Sequence, residues 1–384
     1  MLVRKWRMRA LLPPEPAKGR PVPNPVTANN KREATLIKFI RTAVVLLLGI
    51  APGMTSGRQA VAEPAPQKVT IALAGKGMSF ILQYVALSAG LYKAEGLDPD
   101  TVDVSSGTRQ AAAVMGGSAD FTQLGMPHTL RAVARGGDLV AIGTGFDMYP
   151  IALVISKTAA QKLGITEAMS VDERLRRIHG LKIGITSPGS STDEFMRTIM
   201  MVRGLDPDKD VRLQPIGIGA PMVAAMQQGS TDGFAFMSPF TDIAVSRGIG
   251  MVVADPMQKN VPEYDDVPYQ VITTSRATVA AKRPILLASM RAMTKAMILC
   301  RDHPEDARRI VRPWFEGVSD DDFNAAFNNY IRAVPKTPVV TPTQVANTVK
   351  MLNLSEKTPL HPTYEQVTDM SMAREAAKEI LGSQ

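Results

Sequence analysis

Residues 184–192, GITSPGSST, have the residue types of a ligand seat. The spacing G-x-x-x-x-G-S-S resembles a nucleotide-binding loop, but Ser190 stands where such a loop carries its lysine. That makes it a poor phosphate clamp. The hydroxyls of Ser187, Ser190, Ser191 and Thr192 remain beside Gly189, at an expected helix start whose first N–H groups lack intrahelical partners. Other turns share this small, polar character: Gly75, Lys76, Gly77, Met78 and Ser79; Ser105, Ser106, Gly107 and Thr108; Gly125, Met126 and Pro127; Gly217, Ile218 and Gly219; Met237, Ser238 and Pro239. Glycine lets a backbone approach a ligand, and Ser or Thr adds a hydroxyl. Asp193 and Glu194 follow GSST directly and would themselves satisfy the helix dipole, and Ser191 and Glu194 have capping-box spacing. The seat therefore does not demand a strong anion. Lys76 or Arg109 would supply a counter-charge, and Phe80, Tyr84, Phe146 and Tyr149 would stack on a ring.

These turns need strands and helices to hold them. VTIALA (69–74), TVDVSS (101–106) and DFTQLG (120–125) read as strands, with helices before Tyr92 and over TRQAAAVMGG. The order recurs: strand LKIGIT, helix DEFMRTIMMVR, strand VRLQPI, helix APMVAAMQQG and strand DGFAFM. Residues 107–136 align without a gap on 219–248, with 12 of 30 positions identical, among them Gly107/Gly219, Asp120/Asp232, Pro127/Pro239 and Arg135/Arg247. Chance would give about two. GLDPD also recurs, at 96–100 and 204–208, a different offset. Two similar α/β lobes follow, built on parallel sheets, and strand-to-helix turns of such sheets line a shared cleft. His128 has Phe240 as its repeat partner, which suits a structural role.

The net charge of +8 is local to one end. Residues 1–62 carry eleven Lys/Arg against Glu15 and Glu33, leaving 33 basic and 34 acidic residues in the rest. The body gives no electrostatic footprint for nucleic acid. Lys38 and Arg41 precede the apolar run AVVLLLGI, and Ala60-Val61-Ala62 offers a small-x-small site, so an export signal cleaved near Ala62 is expected. The lone Cys300 excludes an internal disulfide and lies in an apolar helical run, where a buried, inert thiol is expected. HExxH, CxxC and G-x-S-x-G motifs are absent, the four histidines are scattered, and no metal or cofactor is expected.

The run from KVTIAL through GLYKAEGLDPD to GSADFTQLG, then HGLKIGITSPGSSTDEFM and RGLDPDKDVRLQPIGIGAPMVAAMQQGSTDGFAFMSP, resembles periplasmic solute-binding proteins of the nitrate/sulfonate/taurine type, including thiamine-pyrimidine binders. The segment YQVITTSRATVAAKRPILLASMRAMTKAMILC resembles their returning strand and helices, so the likeness covers about 68–312. It implies a two-lobed periplasmic-binding-protein type II fold. The chain divides as 1–62 (extension and signal peptide), 63–150 (first lobe), 151–250 (second lobe) and 251–384 (return to the first lobe), with crossovers near 148–155 and 251–255. The implied function is the periplasmic binding component of an ABC importer: a monomer that closes on a small sulfonate, carboxylate or pyrimidine-like solute and hands it to an inner-membrane permease. By position the resemblance assigns ligand contact to Gly75–Ser79, Gly125, Met126, Pro127, Ser187, Gly189–Thr192, Gly217, Gly219 and Ser238. The alternatives are an enzyme on the same fold, desulfinase-like or thiamine-pyrimidine-synthase-like, and a ligand-binding input to a sensor.

Overall fold

Segments four to seven residues long, most of them apolar, become the strands of two sheets. The computed structural model describes residues 65–74, 77–104 and 106–382. The expected export signal, Gly75, Lys76 and Ser105 lie outside the described residues. The strands are β1 (Gln67–Leu73), β2 (Leu97–Asp103), β3 (Phe121–Gly125), β4 (Val140–Phe146), β5 (Ala152–Ser156), β6 (Lys182–Ile185), β7 (Arg212–Pro215), β8 (Gly233–Phe236), β9 (Gly250–Ala254) and β10 (Gln270–Thr274). The helices that position the site are α1 (Ile81–Ser88), α2 (Gly107–Met115), α3 (Met126–Ala134), α4 (Ser191–Met201), α5 (Ala220–Gln227) and α6 (Phe240–Ser246); α7 (Arg276–Asp302), α8 (Asp320–Tyr330) and α9 (Pro342–Asn353) follow.

One sheet runs β2-β1-β3-β10-β4 and the other β7-β6-β8-β5-β9. Each has four strands running in one direction and one interior strand, β10 or β5, fourth in the order and antiparallel to both its neighbours. The α/β expectation is met, with mixed rather than wholly parallel sheets. Strands β3 and β4 are buried along their whole length, as expected where helices cover both faces. β2 is an edge strand, which tolerates Pro99.

The duplication extends to strand register. Thr70 pairs with Asp100 and Ile71 with Phe121; 112 residues on, Lys182 pairs with Arg212 and Ile183 with Gly233. The identical pair Asp120 and Asp232 of the repeat does the same work twice. Asp120 Oδ2 accepts from Thr70 N at 2.9 Å, and Asp232 Oδ2 from Lys182 N at 2.8 Å, each tying the foot of one strand to the next. GLDPD does not follow this register. Both copies start on a left-handed glycine, Gly96 (φ 73°) and Gly204 (φ 73°), but LDPD enters β2 in the first lobe and forms the turn before β7 in the second.

The chain passes between the sheets through 147–151 and 255–269. Both links are displaced from the expected crossovers, because 152–155 and 251–254 are taken up as β5 and β9. The C-terminal region contacts elements of both sheets. α8 packs on α6 of the second lobe, where Ser246 Oγ donates to Asp322 Oδ1 at 2.6 Å. Tyr330 OH accepts from Ser238 N at 2.9 Å and donates to Pro150 O at 3.0 Å, joining β8's exit to the first link.

Candidate functional site

The carboxyl ends of β1, β2 and β3 and of β6, β7 and β8 converge on one cleft, partly open to solvent. Ala74 and Gly77 follow β1, Ser106 and Gly107 follow β2, and Gly125 ends β3; Thr186, Ile218 and Met237 occupy the equivalent exits of the second sheet. This is where an open α/β sheet binds ligands. Gly77 lies against Met237 of the other sheet's exit: a Cβ there would stand 2.9 Å from Met237 Sδ.

Of the residues expected to touch ligand, Gly77, Gly125, Ser190, Ser191 and Thr192 line the cleft. Met78 and Ser79 are fully buried behind it, Ser79 Oγ donating to Met237 Sδ at 3.3 Å. Met126 and Pro127 are buried in the first turn of α3. Ser187 and Gly189 belong to the loop before α4, Gly217 and Gly219 flank the lining residue Ile218, and Ser238 lies beneath the surface. Ser238 Oγ donates to Asp242, and the peptide between Ser238 and Pro239 is cis.

The loop GITSPGSST is largely self-satisfied. Ser190 is the N-cap of α4, accepting from Asp193 N at 3.4 Å; Thr192 Oγ1 accepts from Thr186 N at 2.8 Å, and Asp193 Oδ2 from Gly189 N at 2.8 Å. The expected capping box between Ser191 and Glu194 does not form. The cap has moved one residue back to Ser190, freeing Ser191 Oγ to reach His128 Nε2 of the other lobe at 3.2 Å. Glu194 is drawn instead to Arg131 of α3.

His128 therefore has a role beyond packing. Gly107 leaves room for its ring as Gly219 leaves room for Phe240, so the repeat positions are equivalent, yet His128 also faces the cleft. Burial, with Arg131 nearby, pushes its pKa down to about 4, so the imidazole is neutral at pH 7. Burial likewise pushes the Tyr269 hydroxyl up, with Ser191 hydrogen-bonding pulling it back. No Lys, Arg, Asp or Glu is among the lining residues of the described structure. Arg109, an expected counter-charge, is exposed and outside the lining.

Of the four rings proposed for stacking, Phe80 lines the cleft. Tyr84 stacks on Trp314 with centroids 4.4 Å apart, Phe146 packs on Tyr330, and Tyr149 on Tyr264 at 4.3 Å. The lining residues unforeseen from the sequence include Gln110, Thr186, Phe236, Tyr269 and Gln270. Gln110 Nε2 is held by Thr122 Oγ1 at 2.6 Å, and Gln270 Oε1 accepts from Gln123 Nε2 at 2.7 Å, so both side chains are fixed by strand β3. Tyr269, the last residue of the second link, and Gln270, the first of β10, lie over a hundred residues beyond the first lobe's own turns, so local turn composition gave no signal for them. Among the described residues, no group of His, Cys, Asp and Glu is arranged to hold a metal, and no helix is long and apolar enough to cross a membrane. Cys300 is fully buried and its thiol pushed up by burial, away from nucleophilic use.

Comparison with known proteins places this geometry. The nitrate/nitrite binding protein NrtA of Synechococcus elongatus is 33% identical over 126 residues, 32% of this chain and 26% of the relative. The bicarbonate transport ATP-binding protein CmpC of a Synechocystis species is 24% identical over 236 residues, 59% of this chain and 34% of the relative. The chain thus spans about a quarter to a third of the length of these curated relatives. Among solved structures, a Bordetella bronchiseptica protein superposes with a TM-score of 0.71 at 24% identity, covering 82% of this chain and 98% of the neighbour. The periplasmic aliphatic sulphonate binding protein SsuA of Escherichia coli gives 0.57 at 19% identity, covering 75% and 86%. The periplasmic nitrate-binding protein NrtA of Synechocystis PCC 6803 gives 0.61 at 14% identity, covering 82% and 89%. These neighbours establish the periplasmic-binding-protein fold. The NMT1-like family model matches residues 62–313, about two thirds of the sequence, and the chain belongs to the NMT1-like family.

Proposed function

We propose that this protein is the exported, periplasmic solute-binding component of an ABC import system, and that it captures a small organic solute by closing two lobes on it. The observation that carries this reading is the contact of His128 Nε2 with Ser191 Oγ, which joins the two lobes inside a cleft built from the strand ends of both. The matched relatives and neighbours named above, binding proteins and a transport ATPase, support a transport role and not an enzymatic one. An inner-membrane permease and an ATPase are the partners this implies.

Within the classes expected, the lining favours a solute recognised through neutral groups. Side-chain hydroxyls and amides, a neutral imidazole and the rings of Phe80, Phe236 and Tyr269 form the surface, and the described lining carries no cation to match a sulfonate or carboxylate. A pyrimidine-like solute, with a flat face and both donors and acceptors at its edge, fits that chemistry. Native mass spectrometry of the protein purified from its exported form is the test. A co-purifying neutral heterocycle supports the reading; a co-purifying sulfonate or nitrate overturns the solute class, and multiple turnover of the recovered compound overturns the binding role.

A further inference from the structure

Helices α3 and α4 face each other across the cleft with two contacts in step. His128 meets Ser191, and three residues further along both helices Arg131 meets Glu194. Residues three apart lie on one helix face, so both contacts belong to one interface. The first is at the ligand surface. The second is behind it: the Glu194 side chain is 3% exposed and that of Arg131 18%.

Arg131 holds two carboxylates. Its Nη1 lies 2.5 Å from Glu194 Oε2 of the second lobe, and its Nε 2.5 Å from Glu356 Oε1, just beyond α9. Beside them Thr198 of α4 meets Ser355, Oγ1 to Oγ, at 3.0 Å. The other oxygen of Glu194, Oε1, is buried without a hydrogen-bond partner. Arg131 is the cation that compensates that carboxylate, with the Tyr149 hydroxyl a lesser support. A buried carboxylate deprived of its one cationic partner is strongly unfavourable, whereas the same carboxylate in water is not.

We propose that Arg131 is a positioning residue for capture: it latches the lobes by taking Glu194 of the second lobe, while Glu356 keeps its charge compensated when the lobes part. The latch governs the open–closed equilibrium through residues that are not among the described lining of the cleft. This inference rests on the proposed capture by closure. Because the Glu194 contact exists only when α4 lies on α3, losing Arg131 penalises the closed form more than the open one.

Spin labels at M115C and M201C, exposed methionines of α2 and α4, report the interlobe distance by pulsed electron paramagnetic resonance; buried Cys300 is shielded from labelling. The full exported chain is measured as purified and after its solute is stripped by unfolding and refolding. In stripped protein, R131M is expected to raise the open-to-closed ratio about tenfold or more, and R131M/E194Q to reverse most of that change, since the neutral amide no longer needs a cation. R131M/E356Q should not reverse it. R131K, which keeps one charge but loses the two-pronged geometry, should fall between, and it carries the test if R131M does not fold. An unchanged distance in R131M, or in R131K if only that folds, overturns the latch, as does failure of E194Q to rescue. Capture by closure fails separately, if the parent protein shows the same single distance with and without its solute.

Discussion

Gly107 has no room for a methyl group, because a Cβ there would stand 2.7 Å from His128 Nε2. Its backbone is not in the left-handed region, so the constraint is the imidazole alone. Gly107→Ala should displace the ring from Ser191, lower stability by about 1–3 kcal/mol and weaken solute binding; thermal melts and calorimetry with the recovered solute check both effects. Asp147, in the first interlobe link, makes a pH-dependent case. Burial pushes its pKa up to about 6, with Thr144 hydrogen bonding pulling it down and Asp266 pushing it further up. A carboxyl with a raised pKa stabilises the fold below its unfolded value near 3.8, and that contribution is lost as pH rises through about 6. At pH 7 the buried carboxylate is therefore a cost. Asp147→Asn, whose amide oxygen can still accept from Thr144 Oγ1, should raise stability at pH 7 by up to about 3 kcal/mol, and the gain should vanish below about pH 4. Denaturant melts of both proteins across that range decide it; an equal gain at every pH would refute the titration of Asp147.

The start of α4 separates two serines that composition alone treats as equivalent. Ser190 caps the helix and Ser191 faces the other lobe. Ser190→Ala should cost about 1 kcal/mol of stability with a modest effect on binding, while Ser191→Ala, which also leaves His128 Nε2 without its partner, should weaken binding of the recovered solute more strongly. Equal losses of binding in the two variants would contradict this division. The distinction explains what the sequence could and could not reveal. Strand and helix order, the 112-residue repeat and the cleft at the strand exits were legible, because periodicity and duplicated turns report local structure. Which hydroxyl caps and which one faces ligand depends on a shift of one residue in the helix start, set by Gly189 donating to Asp193 and Thr186 to Thr192. Tyr269, Gln270 and Glu356 were hidden for another reason. They arrive from distant segments, and nothing in the local sequence of α3 or β3 names its partners.

At the scale of the whole molecule, the C-terminal third ties the two sheets together. The hydrophobic core runs through both sheets and into the C-terminal helices without a break between lobes. Tyr330 is its polar counterpart at the join: its buried hydroxyl accepts from Ser238 N in the second lobe and donates to Pro150 O in the link. Removing that oxygen strands both backbone groups in a dry environment, which costs about 1–3 kcal/mol for each group left unsatisfied. If the lobes unfolded separately, Tyr330→Phe would shift part of the transition and leave the rest. The continuous core argues instead for a single transition. Differential scanning calorimetry of the protein should show one peak whose calorimetric and van't Hoff enthalpies agree, and Tyr330→Phe should move that peak as a whole to lower temperature. A second peak in the parent protein, or a variant whose transition splits, would show that the C-terminal helices do not couple the lobes.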